Sequence, residues 1–183
     1  MLEQLNFTLL DAIQALRTPV GDWLMPLVTA LGNGGVLWIA IGVLLWFSGR
    51  RRAALLVLLG LAIEAVCCNL VLKPLIDLPR PFEVRPDVAL LIDPPSDASF
   101  PSGHTGAAVA AVTGLWLGGV RRWWVALILA IAIAFSRLYL YVHYPTDVLG
   151  GVVLGIASAL LAVKLVALLE GRGQRGGRRG RRI

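Results

Sequence analysis

Long apolar runs separated by short polar segments dominate the chain. A helix rises ~1.5 Å per residue and the hydrocarbon core of a membrane is ~30 Å thick, so about 20 mostly apolar residues make a transmembrane span. Five stretches meet this criterion, at about 24–48, 53–74, 103–120, 122–141 and 147–169. The first contains the sequence Gly32-Asn33-Gly34-Gly35, which allows a short helix followed by a span from about Gly34.

The N-terminal segment has a different pattern. Leu5, Leu9, Ile13 and Leu16 recur at helical spacing within residues 3–17, with polar residues between them. This spacing is typical of a helix that lies in the membrane interface or packs on a helix bundle. We therefore predict an all-α fold, a polytopic membrane helix bundle of five to six helices with an N-terminal interfacial helix. One membrane-embedded domain is expected over residues 1–170.

The composition supports a membrane protein. Hydrophobic residues make up 57% of the chain, charged residues 15%, and the mean hydropathy is +0.77. A soluble domain has about 45–50% apolar and about 25% charged residues, and a disordered chain is less hydrophobic still. The two cysteines, Cys67 and Cys68, are adjacent and lie in an apolar run, which excludes a disulfide scaffold.

Three arginine clusters predict the orientation in the membrane. Arg50, Arg51 and Arg52 fill one loop, Arg121 and Arg122 fill another, and the C-terminal tail holds six more arginines. With five spans all three clusters fall on one side, and they hold 11 of the 17 basic residues. Because Lys and Arg mark the cytoplasmic side, we predict a multi-pass cell-membrane protein with a cytoplasmic C-terminus. The loop at about 75–102 and the turn at 142–146 then face the extracellular or periplasmic side.

The tail at 171–183 consists almost only of Arg and Gly. A segment of this composition cannot bury a core, so we expect it to be disordered. A solvated anchor near anionic lipid is the ordinary explanation for such a basic cluster. Arg/Gly-rich segments also bind single-stranded RNA, but this alternative is less favoured and we expect no nucleic-acid partner.

Three polar segments interrupt the apolar pattern, and all three map to the predicted outer face. They are Lys-Pro-Leu-Ile-Asp-Leu-Pro-Arg-Pro at 73–81, Pro-Ser-Gly-His at 101–104, and a stretch at 136–147 that opens with Ser-Arg and ends with His-Tyr-Pro-Thr-Asp. Both histidines of the chain lie in these segments. Lys73, Arg80 and Arg137 would form a donor-rich pocket for an anionic tetrahedral group, because the guanidinium fork suits phosphate oxygens and lysine adds a point charge.

Two predicted helix starts complete the pattern of a phosphate site. Ser102 is placed to cap a helix that begins near Gly103, and such a helix directs free backbone N–H groups at an anion. Gly103 also lets the backbone approach a ligand closely. Pro145 suits the first position of the next helix, which puts Asp147 in its first turn. A bond from His143 to Asp147 would fix the imidazole tautomer and leave the other nitrogen free to attack.

Each of these features alone has an ordinary structural explanation, and their joint occurrence on one face indicates a site. Together they read Lys-x6-Arg-Pro, Pro-Ser-Gly-His and Ser-Arg-x5-His-x3-Asp. They resemble the three-part signature of the type 2 phosphatidic acid phosphatase superfamily, which includes lipid phosphate phosphatases and the vanadium haloperoxidases. The intervals between the three parts are similar to those of compact bacterial members.

The resemblance implies a mechanism and a set of site residues. His143 would attack phosphorus and form a phosphohistidine, Asp147 would orient it, and His104 would protonate the leaving oxygen and later activate water. The implied phosphate-binding residues are Lys73, Arg80, Ser102, Gly103 and Arg137. No cofactor and no metal are expected, and the acids of the outer loop lack a regular spacing for Ca²⁺ or Mg²⁺.

The predicted function is hydrolysis of the phosphate or diphosphate headgroup of a membrane lipid. Candidate substrates are a polyprenyl diphosphate such as undecaprenyl diphosphate, phosphatidic acid and phosphatidylglycerol phosphate. A lipid phosphotransferase on the same fold is an alternative, as is a non-enzymatic phospholipid transporter that uses the cations only to bind headgroups. A haloperoxidase is disfavoured, because those relatives are larger soluble chains. Glu64, an acid within the second span, either extends the polar site or is a buried structural acid.

Overall fold

A computed structural model describes the backbone of residues 1–179 and the side chains of residues 1–170. Three helices come first: α1 (Leu2–Gln14), α2 (Pro19–Ala30) and α3 (Val36–Phe47). The next elements are α4 (Arg51–Ala65), a π-helical segment (Val66–Leu72), α5 (Lys73–Ile76) and α6 (Pro81–Val84). A longer loop then leads to α7 (Gly103–Leu117), α8 (Trp123–Tyr139) and α9 (Pro145–Arg179). The predicted all-α fold is confirmed.

Helices α4, α7 and α9 form the centre of the bundle. A Cβ atom added at Gly151 would lie 2.6 Å from the carbonyl oxygen of Ser102, and one added at Gly155 would lie 2.5 Å from that of Gly106. Since real Cβ atoms do not approach this closely, α9 contacts α7 backbone to backbone. Small residues four apart permit this kind of helix contact in membranes. It brings the first turn of α9 against the first turn of α7.

Large apolar side chains cover the outside of the bundle. On α9, Leu149 and Val153 are 64% and 69% exposed, and on α8, Ile128 and Ile131 are 61% and 60% exposed. Contiguous apolar surface of this kind is unfavourable in water and marks a membrane contact. The outer surface therefore suits a lipid environment.

The helices differ in their ability to span a membrane. By length and composition two stretches qualify, Arg51–Val84 and Pro145–Glu170, and α2 with α3 makes a third if the bent pair counts as one span. Helices α7 and α8 are shorter than the predicted stretches 103–120 and 122–141. One reason is Gly119, whose φ of +71° turns the chain after α7. The five-span arrangement stays a prediction.

The break within the first predicted span is confirmed. A 3-10 turn over Asn33–Gly35 separates α2 from α3, and the two helices are bent by 43°. Gly34 and Gly35 have φ values of +58° and +66°, a region that favours glycine.

The N-terminal helix packs on the bundle. Phe7 and Leu10 of α1 are buried in a cluster with Tyr141 and Tyr144, from the turn between α8 and α9. The predicted leucine stripe stays on the surface, with Leu5 55% exposed. Helix α1 therefore packs on the bundle through Phe7 and Leu10, and its placement in the membrane interface stays a prediction.

Disorder of the C-terminal tail stays a prediction. Helix α9 continues through residues 171–179, and residues 180–183 lie outside the described residues.

The helix ends divide the molecule into two ends of different chemistry. Helix α4 begins at Arg51, and Arg121 and Arg122 lie between α7 and α8. Arg50, Arg121 and Arg122 line a common surface hollow at this end, which we call the arginine end. The other ends of α4, α7, α8 and α9 carry the three polar segments and form what we call the site end.

Candidate active site

The three polar segments line one cavity of about 880 Å³ at the site end. Six of the eight predicted site residues are on its wall: Lys73, Arg80, Gly103, His104, Arg137 and His143. The other two, Ser102 and Asp147, are fully buried. Residues separated by up to 74 positions in sequence therefore meet in one place, as the motif pattern predicted.

His143 lies in the turn before α9 and is 1% exposed. Its Nδ1 atom is 3.2 Å from Oδ2 of Asp147, and its Nε2 atom is 3.3 Å from Nη1 of Arg80. A guanidinium only donates hydrogen bonds, so Nε2 must be the unprotonated nitrogen and Nδ1 carries the hydrogen. Burial, together with the charges of Arg80, Arg137 and Lys73, lowers the pKa of His143 well below its usual value of ~6.5. The ring is thus neutral and has a lone pair on Nε2.

Asp147 is held by three further contacts in the first turn of α9. Its Oδ2 atom accepts hydrogen bonds from the Ser99 hydroxyl at 2.5 Å and from the backbone N–H of Tyr144 at 2.8 Å. Its carbonyl oxygen accepts a bond from the backbone N–H of Ser102 at 3.0 Å. These bonds fix the carboxylate that orients His143 and join the second motif to the third.

Ser102 occupies the predicted position but not the predicted role. It is the residue before α7, yet its side chain makes no capping bond to the helix backbone. Its Oγ atom instead accepts a hydrogen bond from the Thr105 hydroxyl at 3.1 Å. Thr105 lies one turn later, and both hydroxyls are buried in the helix junction. The first-turn N–H groups of α7 are therefore not capped by this serine.

Arg80 is 2% exposed and is anchored from two sides. Nη1 donates to the carbonyl oxygen of Val142 at 2.7 Å, and Nε donates to that of Asp97 at 2.8 Å. Nη2 donates to the Asp97 carboxylate at 2.7 Å. The same carboxylate bonds to the Lys73 ammonium group. One loop carboxylate thus bridges the two cations of the first motif.

The charges of Lys73 and Arg80 lower the pKa of the Asp97 carboxyl group. Partial burial raises the pKa of its carboxyl group, but the hydrogen bonds and charges of Lys73 and Arg80 outweigh burial and bring the pKa to about 2. Asp97 is therefore ionised at neutral pH. Its half-exposed side chain occupies cation contacts that a phosphate group also needs.

Arg137 approaches the cavity from α8. It is 3% exposed, and its Nη1 atom donates to the hydroxyl of Thr29 at 2.6 Å. Its Nε–H has no partner among the described residues. The guanidinium therefore keeps donor capacity for a ligand in the cavity. Ser136, next to it, donates to the carbonyl oxygen of Ile133 at 2.7 Å and is buried, which is a structural role.

His104 follows Gly103 in the first turn of α7. Its Nε2 atom is 2.9 Å from the amide oxygen of Asn33, in the turn between α2 and α3. A Cβ atom added at Gly103 would be 3.4 Å from Sγ of Cys68, which is an ordinary van der Waals distance. Packing therefore does not require glycine at this position, and the missing side chain matters more because it leaves the backbone accessible.

Glu64 borders the same cavity from α4 and is 2% exposed. Its carboxylate packs against Gly106 of α7, where an added Cβ would collide with it. Both predicted interpretations describe part of this placement, since the acid is buried in the helix contact and also borders the site.

Sequence reasoning missed four residues that contact the site. Asp97 bridges the cations, Ser99 and Thr29 hold Asp147 and Arg137, and Asn33 contacts His104. All four lie outside the motifs, and only the tertiary fold brings them near. Asn33 carried a signal, because it is a polar residue in the glycine-rich break of an apolar stretch.

Comparisons with known proteins agree with this geometry. The sequence model of the PAP2 superfamily matches residues 53–169. Undecaprenyl-diphosphatase BcrC of Bacillus subtilis is 29% identical over 168 residues, which cover 91% of this chain and 86% of that protein.

Two crystal structures have the same fold. One, of Aquifex aeolicus LpxE, has a TM-score of 0.77 and 31% identity, over 87% of this chain and 95% of that one. The other, of a PAP2-type phosphatidylglycerolphosphate phosphatase from Bacillus subtilis, has a TM-score of 0.73 and 29% identity, over 91% of this chain and 86% of that one. The family match covers all three motifs and more than half of the chain. The chain therefore belongs to the PAP2 superfamily.

Proposed function

We propose that the protein removes the phosphate or diphosphate headgroup of a membrane lipid, with His143 as nucleophile. The cavity carries this proposal, because it joins two kinds of wall. One part is lined by the cations and histidines of the motifs. The other is apolar, with Ile39 of α3 and Leu58, Leu61 and Ala62 of α4. A ligand with a phosphate group next to a hydrocarbon chain matches both parts.

A polyprenyl diphosphate is the substrate that we favour. The Bacillus subtilis relative that matches 91% of this chain is named an undecaprenyl-diphosphatase. The structural neighbour from the same organism is named for phosphatidylglycerolphosphate, so this glycerolipid is the second candidate. Phosphatidic acid, with the same headgroup chemistry, is the third.

The first chemical step is attack by His143. Its Nε2 lone pair forms a bond to phosphorus while the bond from phosphorus to the leaving oxygen breaks, and His104 gives that oxygen a proton. Asp147 accepts a hydrogen bond from the Nδ1–H of His143 and stabilises the positive charge that develops on the ring. The phosphoryl oxygens take over the hydrogen bond that Arg80 now makes to Nε2.

The second step releases phosphate. His104 takes a proton from water, the water oxygen bonds to phosphorus, and the bond from phosphorus to His143 breaks. Lys73, Arg80, Arg137 and the first-turn N–H groups of α7 at Gly103 stabilise the charge on the phosphoryl oxygens in both steps, the usual dominant contribution in phosphoryl transfer. In this assignment Ser102 acts by joining α7 to Asp147.

A phosphate-release panel tests the proposal. Purified protein should release phosphate from undecaprenyl diphosphate, and His143→Ala should release none. Phosphatidylglycerol phosphate and phosphatidic acid serve as the comparison substrates. Binding of these lipids without release by the wild type would favour the transporter. Transfer of the phosphoryl group to an added alcohol in place of water would favour the phosphotransferase.

Two inhibitors extend the same assay. We expect excess chelator to leave the rate nearly unchanged, because side-chain cations take the role of neutralising phosphate charge. Vanadate should compete with the substrate as a mimic of the five-coordinate transition state. A rate that falls with chelator and returns with Mg²⁺ would contradict the proposed role of Lys73, Arg80 and Arg137.

A further inference from the structure

The turn between α2 and α3 supplies a contact to His104 that lies outside the motifs. The amide oxygen Oδ1 of Asn33 is 2.9 Å from Nε2 of His104. The neighbouring Gly32 packs on the same ring, since an added Cβ would lie 2.7 Å from Cδ2 of His104. Asn33 and His104 both line the cavity. The turn between α2 and α3 therefore meets the His104 ring through both Asn33 and Gly32.

An amide oxygen accepts hydrogen bonds and cannot donate them. Nε2 of His104 must accordingly carry a hydrogen, and in the neutral ring the lone pair is on Nδ1. His143 has the opposite arrangement, since Arg80 donates toward its Nε2 and Asp147 accepts from its Nδ1. The two histidines are thus held as different tautomers by different neighbours.

We propose that Asn33 is a positioning residue that fixes His104 as the Nε2–H tautomer and thereby makes Nδ1 the nitrogen that exchanges protons with the substrate. The inference rests on the proposed function of His104 as acid and base. In the first step His104 acts as the imidazolium: its Nδ1 proton moves to the leaving oxygen as the bond from that oxygen to phosphorus breaks, which leaves the neutral Nε2–H tautomer. In the second step Nδ1 takes a proton from the attacking water. Nε2 keeps its hydrogen bond to Asn33 throughout.

The break in the helix is what places Asn33 there. Gly34 and Gly35, at φ values of +58° and +66°, follow Asn33 and interrupt the helix, so that α2 and α3 are bent by 43°. The chain then resumes as α3 at Val36. Asn33 itself is exposed, and its amide oxygen reaches the His104 ring from this turn.

Nitrogen NMR tests the tautomers without any activity assay. The chain has two histidines, so protein labelled with ¹⁵N-histidine and purified without a histidine tag gives signals from His104 and His143 alone, assigned with His143→Ala. At pH ~8.5, about two units above the usual histidine pKa, both rings are neutral. We expect His104 as Nε2–H and His143 as Nδ1–H. In Asn33→Leu the His104 signals should become those of a tautomer mixture. An Nδ1–H tautomer of His104 in the wild type, or unchanged His104 signals in Asn33→Leu, would overturn the proposal.

Kinetics then test whether the contact acts through proton transfer. Phenyl phosphate has a more basic leaving group than p-nitrophenyl phosphate and needs protonation more. In Asn33→Leu we expect kcat for phenyl phosphate to fall about 10-fold, the value of one hydrogen bond to a charged group, and kcat for p-nitrophenyl phosphate to fall less than about 3-fold. Because both rates come from one preparation, any loss of folded protein cancels in their ratio. Equal losses would contradict the proposal.

Two further variants separate positioning from packing. Asn33→Asp keeps an acceptor of the same shape and should restore the phenyl phosphate rate to within about 3-fold of the wild type. In a His104→Ala background, Asn33→Leu should have no further effect, since residues that act through each other are not additive. Failure of the wild type to hydrolyse lipid diphosphates would defeat the proposed substrate and leave the tautomer result standing.

Discussion

Contacts of single nitrogen atoms support the separate tasks that we propose for the two histidines. His143 is fully enclosed, with a cation at Nε2 and a carboxylate at Nδ1. Its lowered pKa means that the neutral, nucleophilic form persists as the pH falls below ~6.5, where an ordinary histidine becomes protonated. His104 lines the cavity in the first turn of α7, where we propose that it meets the leaving group.

The two histidines should consequently fail in different ways. We expect His143→Ala to lose turnover by on the order of 10³-fold or more and to form no phosphoenzyme. His104→Ala should still form phosphohistidine from p-nitrophenyl phosphate, because that leaving group needs little protonation. Acid-labile phosphate trapped on each variant by rapid quenching is the measurement. A phosphoenzyme on His143→Ala would leave direct attack by water as the better mechanism.

The ion pairs of Asp97 with Lys73 and Arg80 lead us to predict that this residue weakens substrate binding. Its carboxylate bridges Lys73 and Arg80, so an incoming phosphate must replace it on at least one cation. Asp97→Asn keeps the shape and removes the charge, and we expect KM to fall by about 3- to 10-fold, equivalent to roughly 1 kcal/mol at this half-exposed site. The inhibition constant of vanadate should fall in parallel. Asp93→Asn is the matched control, since Asp93 also lines the cavity and forms no ion pair among the described residues. A rise in KM would show that Asp97 mainly holds the cations in place.

At the scale of elements, periodicity predicted the helices and the break, and the motifs predicted which residues meet. Apolar runs of sufficient length are set by local sequence, and the spacing of the motifs places each one at a helix end. The bonds of Asp97, Ser99, Asn33 and Thr29 depend instead on how distant elements pack. The missing cap at Ser102 has the same origin, because a neighbouring hydroxyl competes for its side chain.

Helix α1 illustrates this dependence on packing. Asn6 donates to the Thr146 hydroxyl at 3.0 Å and accepts from the Thr146 backbone N–H at 3.3 Å. It thereby caps the start of α9 from another helix. Phe7 packs edge-on against Tyr144 in the same turn, with ring centroids 5.5 Å apart. Helix α1 is thus a support for the turn that carries His143.

Removing this support should weaken both stability and catalysis. Asn6→Ala deletes two hydrogen bonds, which contribute about 1 kcal/mol each, and frees the first turn of α9. We expect a lower thermal unfolding temperature and a kcat that falls about 10-fold or less, with KM little changed. Thr8→Ala is the control, because Thr8 is exposed and bonds only within α1, to the carbonyl of Gln4. Equal effects of the two substitutions would mean that α1 does not support the turn.

At the scale of the whole molecule, charge and chemistry lie at opposite ends. The site end carries the phosphate-binding cations in a cavity, and the arginine end carries exposed clusters. Positive clusters mark the cytoplasmic side, so we propose that the site end opens to the outside of the cell. The side chains of the third cluster, in the tail, lie outside the described residues.

Cysteine labelling in intact cells tests this orientation. Ser96 and Ser48 are both exposed, the first in the loop at the site end and the second just before Arg50 at the arginine end. In a background with Cys67→Ala and Cys68→Ala, a membrane-impermeant thiol reagent should label Ser96→Cys in intact cells. Ser48→Cys should react only after permeabilisation, which makes each variant the control for the other. The reversed pattern would put the active site in the cytoplasm, and the arginine clusters would then have to be explained by binding to something other than the inner membrane surface.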